Sequence, residues 1–279
     1  MKKLVALLMM VTLYAVSVAG GLITPEKLNK IKDKKDVVVL DYRWNKVPEK
    51  TIPGAMVVLN KDFSRERDGV KGMVLPKEEF ESFMSKMGIE NKDTVVIVDD
   101  NGMMNATRLW WILNLYGHKG DVFILDGQIM AWEKSGLPMA APSKPSKTSK
   151  YVAKDANPKL VATLEEVKAS IEDNQMVVLD ARSKLERIKG HIPNSVFIEW
   201  KENITKDGKY KSKSELKKLY RDSGITKNLK AIMPHCKSAV RSTQSMFALV
   251  EILGYDNVKN YDGSWLEYEA VKAPVKYGM

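Results

Sequence analysis

The stretch AIMPHCKSAVR, residues 231–241, decides the fold and places the chemistry. An apolar segment leads into a short loop that begins at Cys236, and apolar side chains then recur at helical spacing up to Gly254. This order predicts a strand, a loop and a helix, so Cys236 lies where backbone N–H groups converge at a helix start. Unpaired N–H donors and the positive end of the helix dipole both favour a thiolate there. Cys236 is therefore the candidate nucleophile.

Cys236 is the only cysteine of the chain. A lone cysteine is more often a small buried hydrophobic residue than a reactive group. Its neighbours favour the reactive alternative, because Lys237 and Arg241 add positive charge and Ser238 adds a hydroxyl beside the predicted helix start.

The net charge of +10 is spread along the chain. No basic cluster is interleaved with aromatic side chains, so we expect no nucleic-acid partner, whereas small anions are favoured. One cysteine and three histidines lack metal-ligand spacing, and the glycines form no phosphate-binding run. We therefore expect no metal and no cofactor.

The first nineteen residues have the pattern of a secretory signal peptide. Lys2 and Lys3 precede an apolar run over residues 4–16, and small residues follow up to Ala19, where cleavage is expected. The alternative is an uncleaved anchor, but the apolar run is shorter than the roughly 20 residues that span a bilayer. We expect a periplasmic or secreted protein without stable membrane insertion after cleavage.

One sequence pattern occurs twice at an offset of roughly 140 residues, which indicates a duplicated domain. Leu40–Arg43 recurs as Leu179–Arg182, and each copy alternates short apolar strands with helical segments. Such alternation predicts an α/β domain with a parallel sheet. We predict an N-terminal domain over residues 24–139, a Pro-, Ser- and Lys-rich linker over 140–150, and a C-terminal domain over 151–279.

The two copies differ at the reactive position. Where the second copy has Cys236, the first has Asp99 or Asp100, and carboxylates there repel an anionic donor. We therefore expect the first domain to be catalytically silent.

The six-residue loop from Cys236 to Arg241 has the pattern C-x4-R and resembles that of the rhodanese sulfurtransferases. The related phosphatases and arsenate reductases carry a loop one residue longer, which disfavours those activities here. The resemblance implies two tandem rhodanese-like domains, each a central parallel sheet flanked by helices. Its further marks are Asp180 with Arg182, Gly190–Asn194, and Asp262–Trp265.

The resemblance also implies a function and a set of site residues. A small anionic donor, thiosulfate or 3-mercaptopyruvate, passes a sulfane sulfur to Cys236, and the resulting persulfide passes it to a thiol or to cyanide. Substrate binding is implied for the loop residues and for two arginines. These residues are Lys237, Ser238, Ala239, Val240, Arg241, Arg182 and Arg187.

Two points stay open at this stage. Lys237 resembles the loops of thiosulfate users and Ser238 those of mercaptopyruvate users, so the donor is not decided.

Glu186 falls where many tandem members carry a second anion-binding arginine, with Arg187 beside it. The alternative function is a persulfide carrier or binding module that delivers sulfur to a protein partner with little turnover of its own.

Overall fold

The computed structural model describes residues 21–279, so the predicted signal peptide over residues 1–19 lies outside the described residues. Between residues 21 and 279, no helix is both long and apolar enough to cross a membrane. The same residues contain no group of three or more His, Cys, Asp or Glu side chains placed to hold a metal ion.

In the first half, strands and helices alternate as the sequence predicts. The first helix begins where expected, since the Thr24 hydroxyl accepts the N–H of Lys27 at 3.4 Å and Pro25 occupies the first turn. The elements in chain order are β1 (Gly21–Ile23), α1 (Pro25–Ile31), β2 (Val37–Arg43), β3 (Met56–Leu59), α2 (Asn60–Phe63), β4 (Ser64–Arg67), β5 (Val70–Val74), α3 (Lys77–Lys86), β6 (Thr94–Val98), α4 (Met104–Leu115), β7 (Val122–Leu125) and α5 (Gln128–Lys134).

The first sheet has five parallel strands in the order β1-β7-β6-β2-β3. Successive side chains of a strand point to opposite faces. Accordingly, Val95 and Ile97 of β6 belong to one core cluster, and Val96 and Val98 belong to another on the opposite face. The sheet is therefore covered on both faces, which is why its strands are almost continuously apolar.

The second half repeats this plan with a shorter sheet. Its elements are α6 (Leu164–Ala169), β8 (Met176–Asp180), α7 (Lys184–Ile188), β9 (Val196–Phe197), α8 (Lys213–Asp222), β10 (Ala231–His235), α9 (Arg241–Phe247), a π-helical turn (Ala248–Ile252) and α10 (Ser264–Ala270). Three parallel strands run in the order β10-β8-β9. Parallel bridges from Ile232 to Val258 and from Asn260 to Val161 continue the sheet outward in the strand order of the first half. The predicted fold class, two tandem α/β domains, is confirmed.

The two halves are joined through α4 and α9, which pack against each other. The Thr107 and Thr243 hydroxyls meet at 3.2 Å, and the Trp110 and Phe247 rings form an edge-to-face pair at 5.1 Å. One buried cluster includes side chains from both sheets and from both helices, whereas each sheet has a separate cluster on its outer face. The helices α4 and α9, which follow the loops after β6 and β10, therefore contribute to the core that the two halves share.

The segment between the halves lies along the first half. Residues 140–150, the predicted linker, contain no helix or strand, and their assignment as a linker stays a prediction. The predicted second domain begins at residue 151, but residues 151–157 still contact the first half. The Tyr151 ring stacks on His118, and the N–H of Asn157 donates to Leu115 O at 3.0 Å.

Candidate active site

Cys236 directly follows β10 at the carboxyl edge of the second sheet. Parallel to it, β8 places Asp180 level with His235, so the two strands end together. The loop that starts at Cys236 ends where α9 begins at Arg241. Ligands of open parallel sheets bind at this edge, where loops and helix N-termini converge.

The loop's carbonyl groups are held from the outside. Cys236 O and Lys237 O accept N–H groups from the start of α10 at 3.0 and 3.2 Å, and Ala239 O accepts Arg108 Nη1 at 3.3 Å. In a trans peptide, the N–H of the following residue points opposite to the carbonyl. The N–H groups of Lys237, Ser238 and Val240 therefore point away from α10 and from Arg108.

Ser264 fixes the loop from the α10 side. Its buried hydroxyl accepts the N–H groups of Cys236 at 3.2 Å and Ala239 at 3.0 Å, and donates to Tyr261 O at 2.8 Å. Ala239 and Ser264 have φ angles of 56° and 51°, a left-handed conformation that is costly for residues other than glycine. The surrounding contacts therefore preset the shape of the loop.

Arg241 brings positive charge to the sulfur. Its guanidinium binds Glu186 through two hydrogen bonds, Nη1 to Oε2 at 2.6 Å and Nη2 to Oε1 at 2.8 Å, and lies beside the Cys236 side chain. Burial by itself lowers the pKa of Arg241, but the hydrogen bond to Glu186 and the negative charge on Cys236 outweigh it and raise the pKa. A permanently charged guanidinium beside the sulfur stabilises the thiolate.

Cys236 lies at the base of its loop, with 1% of its surface exposed. Beside the loop, a cleft of about 300 Å³ opens between the halves and is lined by Ser238 from the second half and by Trp44 and Lys71 from the first. Gly72 of β5 lies close to the reactive loop, since an added Cβ at Gly72 would lie 2.9 Å from the Ser238 Cβ. The first half thus forms one wall of the cleft next to the reactive loop.

A buried charge network surrounds Asp180 beside the loop. Arg182 Nε and Nη2 donate to the two Asp180 oxygens at 2.9 and 2.8 Å, and Arg187 Nη1 lies 3.4 Å from Oδ2. Burial raises the pKa of Asp180. The positive charge that His235 carries only at low pH and the charge of Arg182 outweigh burial and bring this pKa to about 2. Asp180 is therefore ionised at neutral pH and holds the two arginines.

His235 supports the loop and does not act as a base for the sulfur. Its Nδ1 lies 3.1 Å from Cys236 O and its Nε2 lies 3.6 Å from Asp180 Oδ1. Burial lowers the pKa of His235 to about 4, so the ring is neutral at pH 7.

The structure brings the six loop residues together and places the two other predicted arginines apart from them. Besides Asp180, Arg182 donates to Gly190 O at 2.8 Å and lies over the Trp265 ring at 4.2 Å. Arg187 donates to the hydroxyl and the carbonyl of Ser195, each at 2.9 Å. Both guanidinium groups are buried and engaged within the protein. Direct substrate binding by either stays a prediction, and their contacts favour a positioning role.

One residue at the site, Arg108 of α4, could not be identified from the sequence. It is fully buried, and its guanidinium donates to Asp262 Oδ1 at 2.7 Å and to Gly72 O at 3.2 Å, in addition to the reactive-loop carbonyl. These partners lie in different parts of the chain, so no local pattern marks the contact. Arg108 therefore ties the first half to the reactive loop.

In the first half, Asp99 takes the place of the cysteine. It follows β6 as Cys236 follows β10, and the next helix, α4, begins after a loop of equal length. The neighbouring Asp100 instead accepts Arg43 Nη1 at 2.5 Å. Burial raises the pKa of Asp99 to about 7, against the opposing effect of backbone N–H groups that donate to it.

Comparison with known protein families agrees with this geometry. A model described as the rhodanese-like domain matches residues 24–135 and again residues 163–271. The two matches cover both sheets and both loops.

Two relatives match most of the chain. A protein of Mycobacterium tuberculosis, provisionally named a thiosulfate sulfurtransferase, is 34% identical over 229 residues, which are 76% of this chain and 81% of the relative. The sulfur carrier protein TtuD of Thermus thermophilus is 33% identical over 249 residues, 81% of this chain and 85% of the relative.

Solved structures share the fold. The 3-mercaptopyruvate sulfurtransferase SseA of Escherichia coli superposes with a TM-score of 0.79 at 23% identity, covering 88% of this chain and 98% of SseA. The wild-type EanB structure superposes with a TM-score of 0.82 at 19% identity, covering 92% of this chain and 69% of EanB. Together with the doubled family match, these similarities establish that the chain belongs to the rhodanese family, with two rhodanese-like domains in tandem.

Proposed function

We propose that this chain is a sulfurtransferase that carries a sulfane sulfur on Cys236 from a small anionic donor to a thiol or to cyanide. The observation that carries the proposal is the position of Cys236 directly after β10, in a loop that ends at Arg241, whose guanidinium lies beside the Cys236 side chain. The relatives named for thiosulfate sulfurtransfer and for sulfur carriage support the same chemistry.

The first step loads the sulfur. The Cys236 thiolate attacks the outer sulfur of thiosulfate, a new S–S bond forms, and sulfite leaves with the electron pair of the bond that breaks. With 3-mercaptopyruvate, the C–S bond breaks instead, and the thiol proton ends on the carbon of the departing pyruvate. In both cases Cys236 becomes a persulfide anion. Arg241 and the loop N–H groups stabilise its terminal charge.

The second step unloads the sulfur. Cyanide or a thiolate attacks the terminal sulfur of the persulfide, and the bond to Cys236 breaks with its electron pair returning to the thiolate. Thiocyanate or a new persulfide is released. The enzyme returns to its starting charge, so the cycle needs no oxidant or reductant beyond donor and acceptor.

The experiment compares thiosulfate and 3-mercaptopyruvate as donors in steady-state assays with cyanide as acceptor. We expect turnover with at least one donor and none with Cys236→Ser. Thiocyanate formation by Cys236→Ser at the wild-type rate would contradict the mechanism. A donor used far better than the other would settle what Lys237 and Ser238 leave open.

The second candidate is a persulfide carrier that delivers sulfur to a protein partner. It is favoured by the low exposure of Cys236 and by the similarity to the sulfur carrier TtuD. A carrier retains one sulfur per chain with negligible multiple turnover on small acceptors. Addition of excess thiosulfate together with excess cyanide separates the candidates, because an enzyme forms many thiocyanate molecules per chain and a carrier forms about one or fewer.

Export is also part of the proposal, on the pattern of residues 1–19. N-terminal sequencing of the protein recovered from periplasmic or secreted fractions tests it. Gly20 is the expected first residue, and an intact Met1 in the cytoplasmic fraction would contradict export.

A further inference from the structure

A carboxylate stands beside the anion-binding loop. Glu186 of α7 holds Arg241 with both of its oxygens, and Arg241 in turn contacts the sulfur of Cys236. The side chains of Glu186 and Arg241 are 33% and 20% exposed, so both are partly buried at the edge of the site. An anionic donor that approaches Cys236 therefore meets an arginine whose charge is already neutralised.

Glu186 is fixed in this position by its own helix. Its Oε2 also accepts the Ser183 N–H at 3.0 Å and the Ser183 hydroxyl at 2.7 Å, which forms a capping box at the start of α7. Burial raises the pKa of Glu186, but the hydrogen bonds from Arg241 and Ser183 outweigh it and bring the pKa to about 2. The carboxylate is therefore charged throughout the neutral range and cannot turn away without breaking the cap.

Capping alone does not explain the ion pair with Arg241. Glu215 forms the same capping box at the start of α8 with Ser212. Glu166 forms one at α6 with Thr163, and its partner is Lys259. Of these three capping glutamates, Glu186 is the one that reaches the reactive loop.

The charge count at the sulfur follows directly. The thiolate, Arg241 and Glu186 together carry one net negative charge, whereas the thiolate and Arg241 alone are neutral. Thiosulfate brings two negative charges and 3-mercaptopyruvate brings one. Repulsion by Glu186 therefore weighs more against thiosulfate.

We propose that Glu186 is a specificity-determining residue that acts through Arg241 and favours singly charged or neutral reactants over doubly charged ones at Cys236. The inference rests on the proposed function for its meaning in sulfur transfer. The electrostatic part of the proposal is that Glu186 makes the potential at the Cys236 sulfur more negative. This part can be tested without turnover.

The test uses Glu186→Gln, which keeps the shape and the capping capacity of the side chain and removes its charge. The specificity ratio, kcat/KM for 3-mercaptopyruvate divided by that for thiosulfate, is expected to fall roughly three- to tenfold, because partial exposure screens the charge. The gain with thiosulfate is expected in KM and to shrink at high salt. Glu166→Gln is the matched control, since it alters an equivalent cap and ion pair, and should leave the ratio unchanged.

A second measurement reads the potential without sulfur transfer. Alkylation of Cys236 by iodoacetate, an anion, is compared with alkylation by neutral iodoacetamide. Glu186→Gln should raise the iodoacetate-to-iodoacetamide rate ratio, and Glu166→Gln should not. An unchanged alkylation ratio in a folded Glu186→Gln protein would overturn the proposal. A changed ratio without any sulfur transfer by the wild type would leave the proposal standing and reject the proposed function.

Discussion

The loops after β6 and β10 have the same length and the same position at the end of a central strand. They differ in the side chain that follows the strand. In the first half, Asp99 Oδ2 accepts the N–H groups of Asn105 and Ala106 at 3.0 and 3.2 Å, and Oδ1 accepts that of Met103 at 3.2 Å. In the second half, the side chain at this place is the Cys236 thiol, and Arg241 supplies the neighbouring charge. The first loop therefore places its own carboxyl group where the second loop has the thiol.

The difference shows that one backbone arrangement serves both structure and chemistry. A carboxyl group tied to the chain satisfies helix-start N–H donors without any ligand. A thiolate at the same place is smaller and can accept a second sulfur. We expect the residue that follows each strand to decide whether the loop can carry sulfur, and exchanging residues between the loops tests this expectation.

The largest effect is expected from Cys236→Asp, which copies the first loop into the second. Turnover should fall to the uncatalysed rate, because the sulfur carrier is lost, while the fold should persist, because Asp99 demonstrates that a carboxylate fits such a loop. Thiocyanate assays and thermal melts measure the two properties. Measurable turnover, or a protein that fails to fold while Cys236→Ser folds, would break the comparison.

The next effect is expected from Arg241→Met, since Met104 begins α4 where Arg241 begins α9. Loss of the cation beside the sulfur should lower kcat/KM about a hundredfold. The partly buried Glu186 loses its partner, so the free energy of unfolding should fall by about 1–3 kcal/mol.

Adding Glu186→Gln to Arg241→Met is the control for this prediction. The double variant should recover stability in urea unfolding but not turnover. A single variant that keeps turnover within about twofold of the wild type would mean that Arg241 stabilises only the fold.

A smaller effect is expected from Arg108→Lys, which concerns the contact between the halves. Lysine keeps the charge near Asp262 but cannot reach Ala239 O and Gly72 O together. Ala239 then loses support for its left-handed conformation, and kcat should fall about tenfold. Arg67→Lys, at a half-exposed arginine 3.8 Å from Asp262, is the matched control. Equal kcat values for the two variants would show that Arg108 does not support the conformation of the reactive loop.

Much of this arrangement could be predicted from the sequence, because its signals are local. The apolar strand before Cys236, the helix after it and the repeat of Leu40–Arg43 as Leu179–Arg182 each lie within short stretches. The family match and the fold confirm the duplicated architecture. The duplicated architecture and the position of the candidate nucleophile could therefore be predicted from local sequence.

The rest depends on contacts between distant parts of the chain. Arg108 reaches Asp262 across 154 residues, and the antiparallel pair β4–β5 brings Gly72 against Ser238. An arginine in a sequence pattern also does not reveal whether its donors face a substrate or the protein, and Arg182 faces Asp180. Such assignments require the folded structure.

The smallest effect on turnover is expected from Asp99→Asn, which should leave sulfur transfer unchanged and alter stability. The folded chain keeps the Asp99 proton up to about pH 7, whereas an unfolded aspartate loses it near pH 4. The folded state therefore binds more protons between these values, and Asp99 lowers stability as the pH rises. Relative to the wild type, the variant should gain roughly 2–4 kcal/mol between pH 4 and pH 7.5 in urea unfolding. A difference independent of pH would contradict a protonated Asp99.

The central claim is that Cys236 alone holds the transferred sulfur, and mass spectrometry of the protein after incubation with thiosulfate tests it most directly. We expect that the peptide containing Cys236 gains one sulfur atom, that an equal amount of sulfite is released, and that cyanide removes the added sulfur as thiocyanate. Sulfite release with an unmodified Cys236 peptide, or the same sulfur uptake by Cys236→Ser, would contradict it.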